Sequence, residues 1–263
     1  MTDEKTMIKI KKIERHYKTG EIVVKALNGV SFEIKKGEFI AIMGASGSGK
    51  TTLLRILGLI DKPTKGEYTI NNLDIVDLPE EERNYYRLTQ LGYVFQDYAL
   101  INEMTAEENV HILSLMEGKS KKESFLTAKE ALEKVGLGDK LGRVPGKLSG
   151  GEKQRVAIAR AIAKKPMILF ADEPCANLDT RTSTQVLDVL KTLNEKFGQT
   201  IVMVTHEEWH TKYVSRIINL KDGLIESDVI KGKKVISEKK VTEEKVVCFE
   251  IEKIKSILRV LIL

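Results

Sequence analysis

Gly44-Ala45-Ser46-Gly47-Ser48-Gly49-Lys50-Thr51 places three glycines, a lysine and a threonine in the order G-x-x-x-x-G-K-[ST]. A loop of this kind can wrap a phosphate. Glycines let the backbone approach closely, consecutive N–H groups and the helix start that follows supply partial positive charge, and Lys50 adds a full one for the terminal phosphates. Thr51 offers its hydroxyl to Mg²⁺, and Thr52 completes the expected phosphate-contacting set. A second glycine-bearing helix start, Leu148-Ser149-Gly150-Gly151-Glu152-Lys153-Gln154, places a capping serine and the Gly150 and Gly151 amides where another anion could sit. A third feature, Ile168-Leu169-Phe170-Ala171-Asp172-Glu173, is an apolar stretch ending in two adjacent carboxylates, which at the end of a strand can serve two tasks.

The elements that must position these groups are legible in outline. Residues 38–43 read as a buried strand and 50–58 as an amphipathic helix, so the glycine loop lies between strand and helix, as phosphate binding requires. Ile8, Ile10 and Ile13 alternate with lysines, and residues 30–34 and 66–70 have a similar strand character. The first two are expected to form an N-terminal antiparallel sheet, and residues 66–70 with Asn71-Asn72 read as a further strand and turn. Residues 91–95 read as another buried strand. From 105 to 136 the spacing turns helical, broken at Gly118, which marks a helical subdomain at about 97–150. Beyond Pro145 the order is helix 152–164, strand 167–171, helix 181–197 and strand 200–205, an alternation that implies a mostly parallel sheet covered on both faces.

Composition sets bounds on the whole. The 263 residues are 42% hydrophobic, enough for a sizeable core, yet no apolar run approaches the roughly 20 residues that span a bilayer. The polar N-terminus does not read as a signal peptide, so a soluble chain is expected, reaching membranes only through a partner. A net charge of +5 with 31% charged residues is too weak a bias to mark a nucleic-acid binder. Cys175 and Cys248 form neither a disulfide framework nor a zinc-ligand spacing, which fits a reducing compartment. Cys175 reads as a small buried residue. From Val229 the chain becomes rich in lysine and glutamate and ends in Ile254, Ile257, Leu258, Leu261 and Ile262. Residues 229–263 are therefore expected to be an extension beyond a 1–228 domain, either an amphipathic docking helix or a loosely ordered tail.

The phosphate loop alone does not choose among kinases, GTPases, helicases and transporters. Together with the Leu148–Gln154 segment, it gives a chain that resembles the ABC ATPase family over about residues 7–227. The resemblance implies an α/β P-loop NTPase core with a mostly parallel sheet, an N-terminal antiparallel β subdomain and an inserted helical subdomain. It implies that Ser149, Gly150 and Gly151 reach the γ-phosphate held by another subunit. It makes Asp172 an Mg²⁺-holding aspartate, alongside Thr51 and Gln96, Glu173 the general base, and Gln96 a catalytic residue that also contacts the water and links to the helical subdomain. His206 becomes the switch histidine at the γ-phosphate, Tyr17 the ring stacked on adenine, and Asp179, within Ala176-Asn177-Leu178-Asp179, a dimer-interface residue.

Residues 56–63, 92–96, 105–110 and 155–160 further resemble the lipoprotein-release and macrolide-exporter branch, with Glu152-Lys153 and Cys175-Ala176 departing from its commoner pattern. The implied partners are ATP, a membrane permease and a second ATPase subunit, identical or not, with no nucleic acid. The implied location is the cytoplasmic face of the membrane. Iron–sulfur assembly or cell-division ATPases of the same family, and a nucleotide-gated adaptor without useful turnover, are the competing readings. The transported substrate is not legible.

Overall fold

A computed structural model describes residues 5–231, and the expected tail from 232 onward, with Cys248, lies outside the described residues. Its two sheets are organised by side-chain alternation. The first is antiparallel, in the order β2 (Ile22–Lys35), β1 (Thr6–Thr19), β4 (Lys65–Ile70), β5 (Leu73–Asp74). Asn71 and Asn72 both have positive φ and make the tight turn that joins β4 to β5, as their residue types suggested.

The second sheet runs β10 (Leu224–Ile230), β9 (Arg216–Lys221), β3 (Phe39–Met43), β8 (Thr200–Val204), β7 (Ile168–Asp172), β6 (Leu91–Val94). All its pairings are parallel except β9 with β10. Because successive residues of a strand face opposite ways, β3, β7 and β8 sort their apolar side chains onto two faces. Ile40, Ile42, Ile168, Phe170, Val202 and Val204 join one core with α1 (Lys50–Leu57) and the antiparallel sheet. Phe39, Ala41, Leu169, Ala171, Ile201 and Met203 join the other, with α5 (Gly150–Ile162) and α6 (Thr180–Phe197).

The helical subdomain shares that second core. Here α3 (Ala106–Met116) and α4 (Lys121–Lys134) bury Val110, Ala128 and Leu132 against α5. Gly118, with φ of 83°, breaks the helical stretch where expected. Thr105 opens α3 with a capping box to Glu108, and Ser120 caps α4.

Several expectations shift. The helix expected from 152 begins two residues earlier, because Ser149 accepts from the Glu152 N–H while the Glu152 carboxylate accepts from the Ser149 N–H at 2.8 Å. The helix α2 (Glu80–Gln90) was not expected. Its charged sequence carries no apolar stripe, and it is held instead by buried Arg83, which donates to the carbonyls of Leu59 (3.0 Å) and Asp61 (3.1 Å). The β9–β10 hairpin also went unread. It carries pairing to Ile230, two residues beyond 228, and Arg216 closes it with bonds of 2.7 and 2.6 Å to Asp228.

Candidate nucleotide site

The loop after β3 is shaped by backbone that a side chain would obstruct. Gly44 has φ of 144°, and a Cβ there would lie 2.1 Å from the Leu220 carbonyl oxygen. Gly49, with φ of 101°, would meet the Ala26 carbonyl at 2.4 Å. Gly49 is also the N-cap of α1, and that helix start has no side-chain cap and no acidic residue in its first turn. Its N–H groups therefore face the loop unneutralised, in contrast to the capped starts of α3 and α5.

The loop forms one side of a cleft of about 610 Å³, lined by Ala45, Ser46, Gly47, Gly49, Lys50, Thr51, Thr52, Ala26, Glu173 and His206. Lys50 is 6% exposed, and its ammonium donates to the Ala45 carbonyl at 2.8 Å. Gly44 and Ser48 lie behind this lining: Ser48 is buried, and its N–H donates to Ala45 O at 3.2 Å.

The two carboxylates diverge as adjacent residues at a strand end can. Asp172 is still in register with Val204, whereas Glu173 leaves the strand with φ of 43°, a left-handed conformation unusual for a non-glycine residue. Its N–H donates to Val204 O at 3.1 Å, which fixes the bend. Thr51 and Tyr93 donate to opposite oxygens of Asp172, each at 3.4 Å. Burial, then the neighbouring Glu173, raise the Asp172 pKa, against the lowering effect of those hydroxyls. Asp172 makes no ion pair among the described residues. A hydroxyl and a part-buried carboxylate without a cationic partner, side by side at the phosphate loop, are the hard oxygen set that suits Mg²⁺ shared with nucleotide phosphates. Across the cleft, His206 Nδ1 lies 3.3 Å from Glu173 Oε2.

The remaining expected residues sit elsewhere. Ser149, Gly150 and Gly151 do not line the cleft. They form the start of α5 beside α6, where a Cβ on Gly151 would lie 2.1 Å from Thr182 Cγ2. Asp179 caps α6, accepting from the Thr182 N–H at 2.9 Å and hydroxyl at 2.7 Å, and these bonds hold its pKa below the ordinary carboxylate value. Gln96 is exposed beyond the end of β6 and does not line the cleft. Tyr17 does not line it either: Arg15 covers its ring at 4.5 Å and its hydroxyl donates to Asp61 at 3.2 Å. Cys175 is buried, as expected, and burial pushes its thiol up to about 12. Sequence reasoning missed His210, a buried ring bonded at 2.7 Å to the Thr205 hydroxyl.

A phosphate loop at the carboxyl end of a central parallel strand, faced by two carboxylates and a histidine from neighbouring strand ends, defines a P-loop nucleotide hydrolase. The ABC transporter family matches residues 27–176, and the chain belongs to that family as an ATP-binding, ATP-hydrolysing cassette. It is 48% identical over 225 residues to the macrolide export ATP-binding/permease protein MacB of Chlorobium luteolum, covering 84% of this chain and 33% of that one. It is 47% identical over 220 residues to the lipoprotein-releasing system ATP-binding protein LolD of Aquifex aeolicus, covering 84% of this chain and 95% of the relative. A dimeric ATP-binding cassette solved in a post-hydrolysis state with ADP and Pi superposes with a TM-score of 0.80 at 42% identity, covering 87% of this chain and 100% of that one. The chain thus spans about a third of the length of the fused ATP-binding/permease relative. No helix among the described residues is long and apolar enough to cross a membrane.

Proposed function

We propose that this cassette works as a pair that closes on ATP at the cytoplasmic face of a membrane and drives a separate permease of the export or lipoprotein-release type. The observation that carries this reading is the division of the anion-binding groups. Lys50, Thr51 and the bare start of α1 line the cleft with Glu173 and His206, while the Ser149–Gly151 helix start does not. A γ-phosphate gripped on one side by the phosphate loop leaves its outer oxygens for the helix start of a second cassette. ATP then supplies the charge that holds two copies together. Asp179, at the start of α6 beside Gly150–Gly151, belongs to the same face.

In each site the Lys50 ammonium exchanges the Ala45 carbonyl for phosphate oxygens, and the α1 amides donate to the same group. Thr51 and Asp172, with Gln96 brought in from the end of β6, would hold Mg²⁺, which neutralises phosphate charge when bound. Glu173, held out of the strand by its bond to Val204, accepts the proton of the attacking water. His206 orients the Glu173 carboxylate and donates to the γ-phosphate. Tyr17 reaches adenine by giving up Arg15 as its stacking partner. Once phosphate separates from ADP the bridge between copies is lost, and the open pair is favoured. The relatives' names, one an ATP-binding/permease protein and one the ATP-binding protein of a lipoprotein-releasing system, support the permease and the branch.

The test is Glu173→Gln, which keeps the shape and removes the base. It is expected to bind ATP, to release phosphate at least roughly 100-fold more slowly, and to accumulate as an ATP-dependent dimer in light scattering. Phosphate release at the wild-type rate would refute Glu173 as base, and a monomer at saturating ATP would refute the paired mechanism.

A further inference from the structure

Behind Glu173 lies a second, smaller cavity of about 160 Å³, lined by Glu173, Cys175, His206, Glu207, Trp209 and His210 among others. His210 is 2% exposed and its Nε2 has no hydrogen-bond partner in the protein. A buried imidazole nitrogen left without a partner costs free energy, so this side of the ring calls for a polar ligand. A water needs about 10–15 Å³ of such space together with two or more polar partners, and the cavity provides room for several, with two carboxylates and two imidazoles in its wall.

The other side of the ring is fixed. Thr205 Oγ1 accepts from the Glu207 N–H at 3.2 Å and lies 2.7 Å from His210 Nδ1. With the Thr205 proton given to Nδ1, the ring's single proton stands on Nε2, facing the cavity. Thr205 is in turn tied to the central strand, its N–H donating to Ile42 O at 3.2 Å, and it immediately precedes His206.

We propose that His210 is a positioning residue for ATP hydrolysis: through Thr205 it locks the turn that carries His206, and through water in the cavity its Nε2 proton orients the Glu173 carboxylate from behind. The ligand of the cavity is water, held between an imidazole donor and carboxylate acceptors. The proposal rests on Glu173 being the base. The groups facing His210 are Glu207, His206 and Lys212 on its own turn, and Glu173 and Cys175 on the segment after β7. Burial keeps the His210 pKa below its ordinary value, so the ring is neutral at neutral pH. Acidification places a positive charge opposite Glu173 and weakens it as a base.

The experiment compares wild type, His210→Leu, His210→Asn and Glu173→Gln as full chains, measuring kcat and KM for ATP from pH 5.5 to 8.5, with melting temperature in parallel. His210→Leu is expected to lower kcat roughly 10- to 100-fold with KM for ATP within about twofold. His210→Asn, which can still bond Thr205, is expected to recover part of that loss, and its acid limb in kcat should shift to lower pH because its side chain does not titrate. If Glu173→Gln is inactive while His210→Leu keeps kcat within twofold, the positioning role is wrong and the base assignment stands. If Leu and Asn lose kcat equally, with falling melting temperature and an unchanged acid limb, His210 is only packing and the proposal is overturned. If Glu173→Gln is active, both assignments fall.

Discussion

Replacing Lys50 by methionine separates the binding role of this side chain from any role in holding the fold. Lys50 is 6% exposed, and its ammonium bonds to Ala45 O at 2.8 Å. That carbonyl also accepts the Ser48 N–H at 3.2 Å, so deleting the lysine leaves no orphaned acceptor, while the apolar stem is retained. The apoprotein should therefore keep its stability to within about 1 kcal/mol. Binding is another matter. A lysine charge about 4 Å from a phosphate charge is worth about 4 kcal/mol at an effective dielectric of about 20. Against this stands about 1.5 kcal/mol for the surrendered Ala45 bond, and the difference of about 2.5 kcal/mol is roughly a 70-fold weaker Kd for ATP. Calorimetric titration of ATP without Mg²⁺ measures that loss, and a thermal melt of the same sample checks the fold. A Kd within threefold of wild type would refute the reasoning. So would a loss of affinity accompanied by a fall of many degrees in the melting temperature of the apoprotein, because the loss would then belong to the loop's structure and not to charge.

Asp172→Asn tests the electrostatic reading of the neighbouring site. A carboxyl whose pKa is raised on folding contributes stability that is fully present below the unfolded value near 3.8 and is lost as pH rises through the folded value. The asparagine variant should accordingly melt at or above the wild-type temperature at pH 7, with the difference shrinking toward pH 4, while ATP hydrolysis with Mg²⁺ falls by orders of magnitude. A variant that melts well below wild type at pH 7 would contradict the cost assigned to this charge. Gly44→Ala should lose about 2 kcal/mol or more in a denaturant melt, because its Cβ would overlap backbone at Leu220, whereas Gly47→Ala meets nothing within 4 Å and carries only the strain of φ at 79°. Equal losses at the two positions would show that backbone strain, and not the close approach to β9, decides the loop's shape.

The parts of this protein that were legible in sequence are those whose chemistry and geometry are local. Gly44–Thr51 needs only the strand before it and the helix after it, and Ser149 with Glu152 writes its own helix start. The antiparallel sheet and the two-faced parallel core follow from alternation and from β-α order. What escaped was set by distant contacts. Little in Glu80–Gln90 marks a buried face, because α2 is anchored chiefly by Arg83 and Arg87, which reach the carbonyls of Leu59 and Asp61, with Tyr86 packed on the core. Pro79 followed by Glu80, Glu81 and Glu82 is nonetheless a helix-start signal that a capping argument finds. Likewise Asp222-Gly223, both at positive φ, marks the β9–β10 hairpin. His210 gave no such sign. His206-Glu207-Glu208-Trp209-His210 reads as a polar loop, and only the short 3-10 turn Glu208–Tyr213 packing on α6 buries the ring. The adenine role of Tyr17 rests on the family resemblance, since Arg15 and Asp61 already engage both ends of that side chain.

The convergence of Lys50, Asp172, Glu173 and His206 depends less on the residues themselves than on register. Ile42 pairs with Val204, and Val204 with Asp172, so β3, β8 and β7 end level with one another. Chain leaving a parallel sheet at one edge gathers at that edge, and groups separated by more than a hundred residues in sequence come to face one cleft. A slip of one residue in β7 would exchange Phe170 and Ala171 between the two cores and turn the carboxylates away together. The interdigitated apolar faces thus hold the chemistry in place: Phe170 and Val202 on one side, and Leu169, Ile201 and Met203 on the other, admit one alignment of the strands, and that alignment sets the Thr51 hydroxyl 3.4 Å from Asp172 and His206 3.3 Å from Glu173.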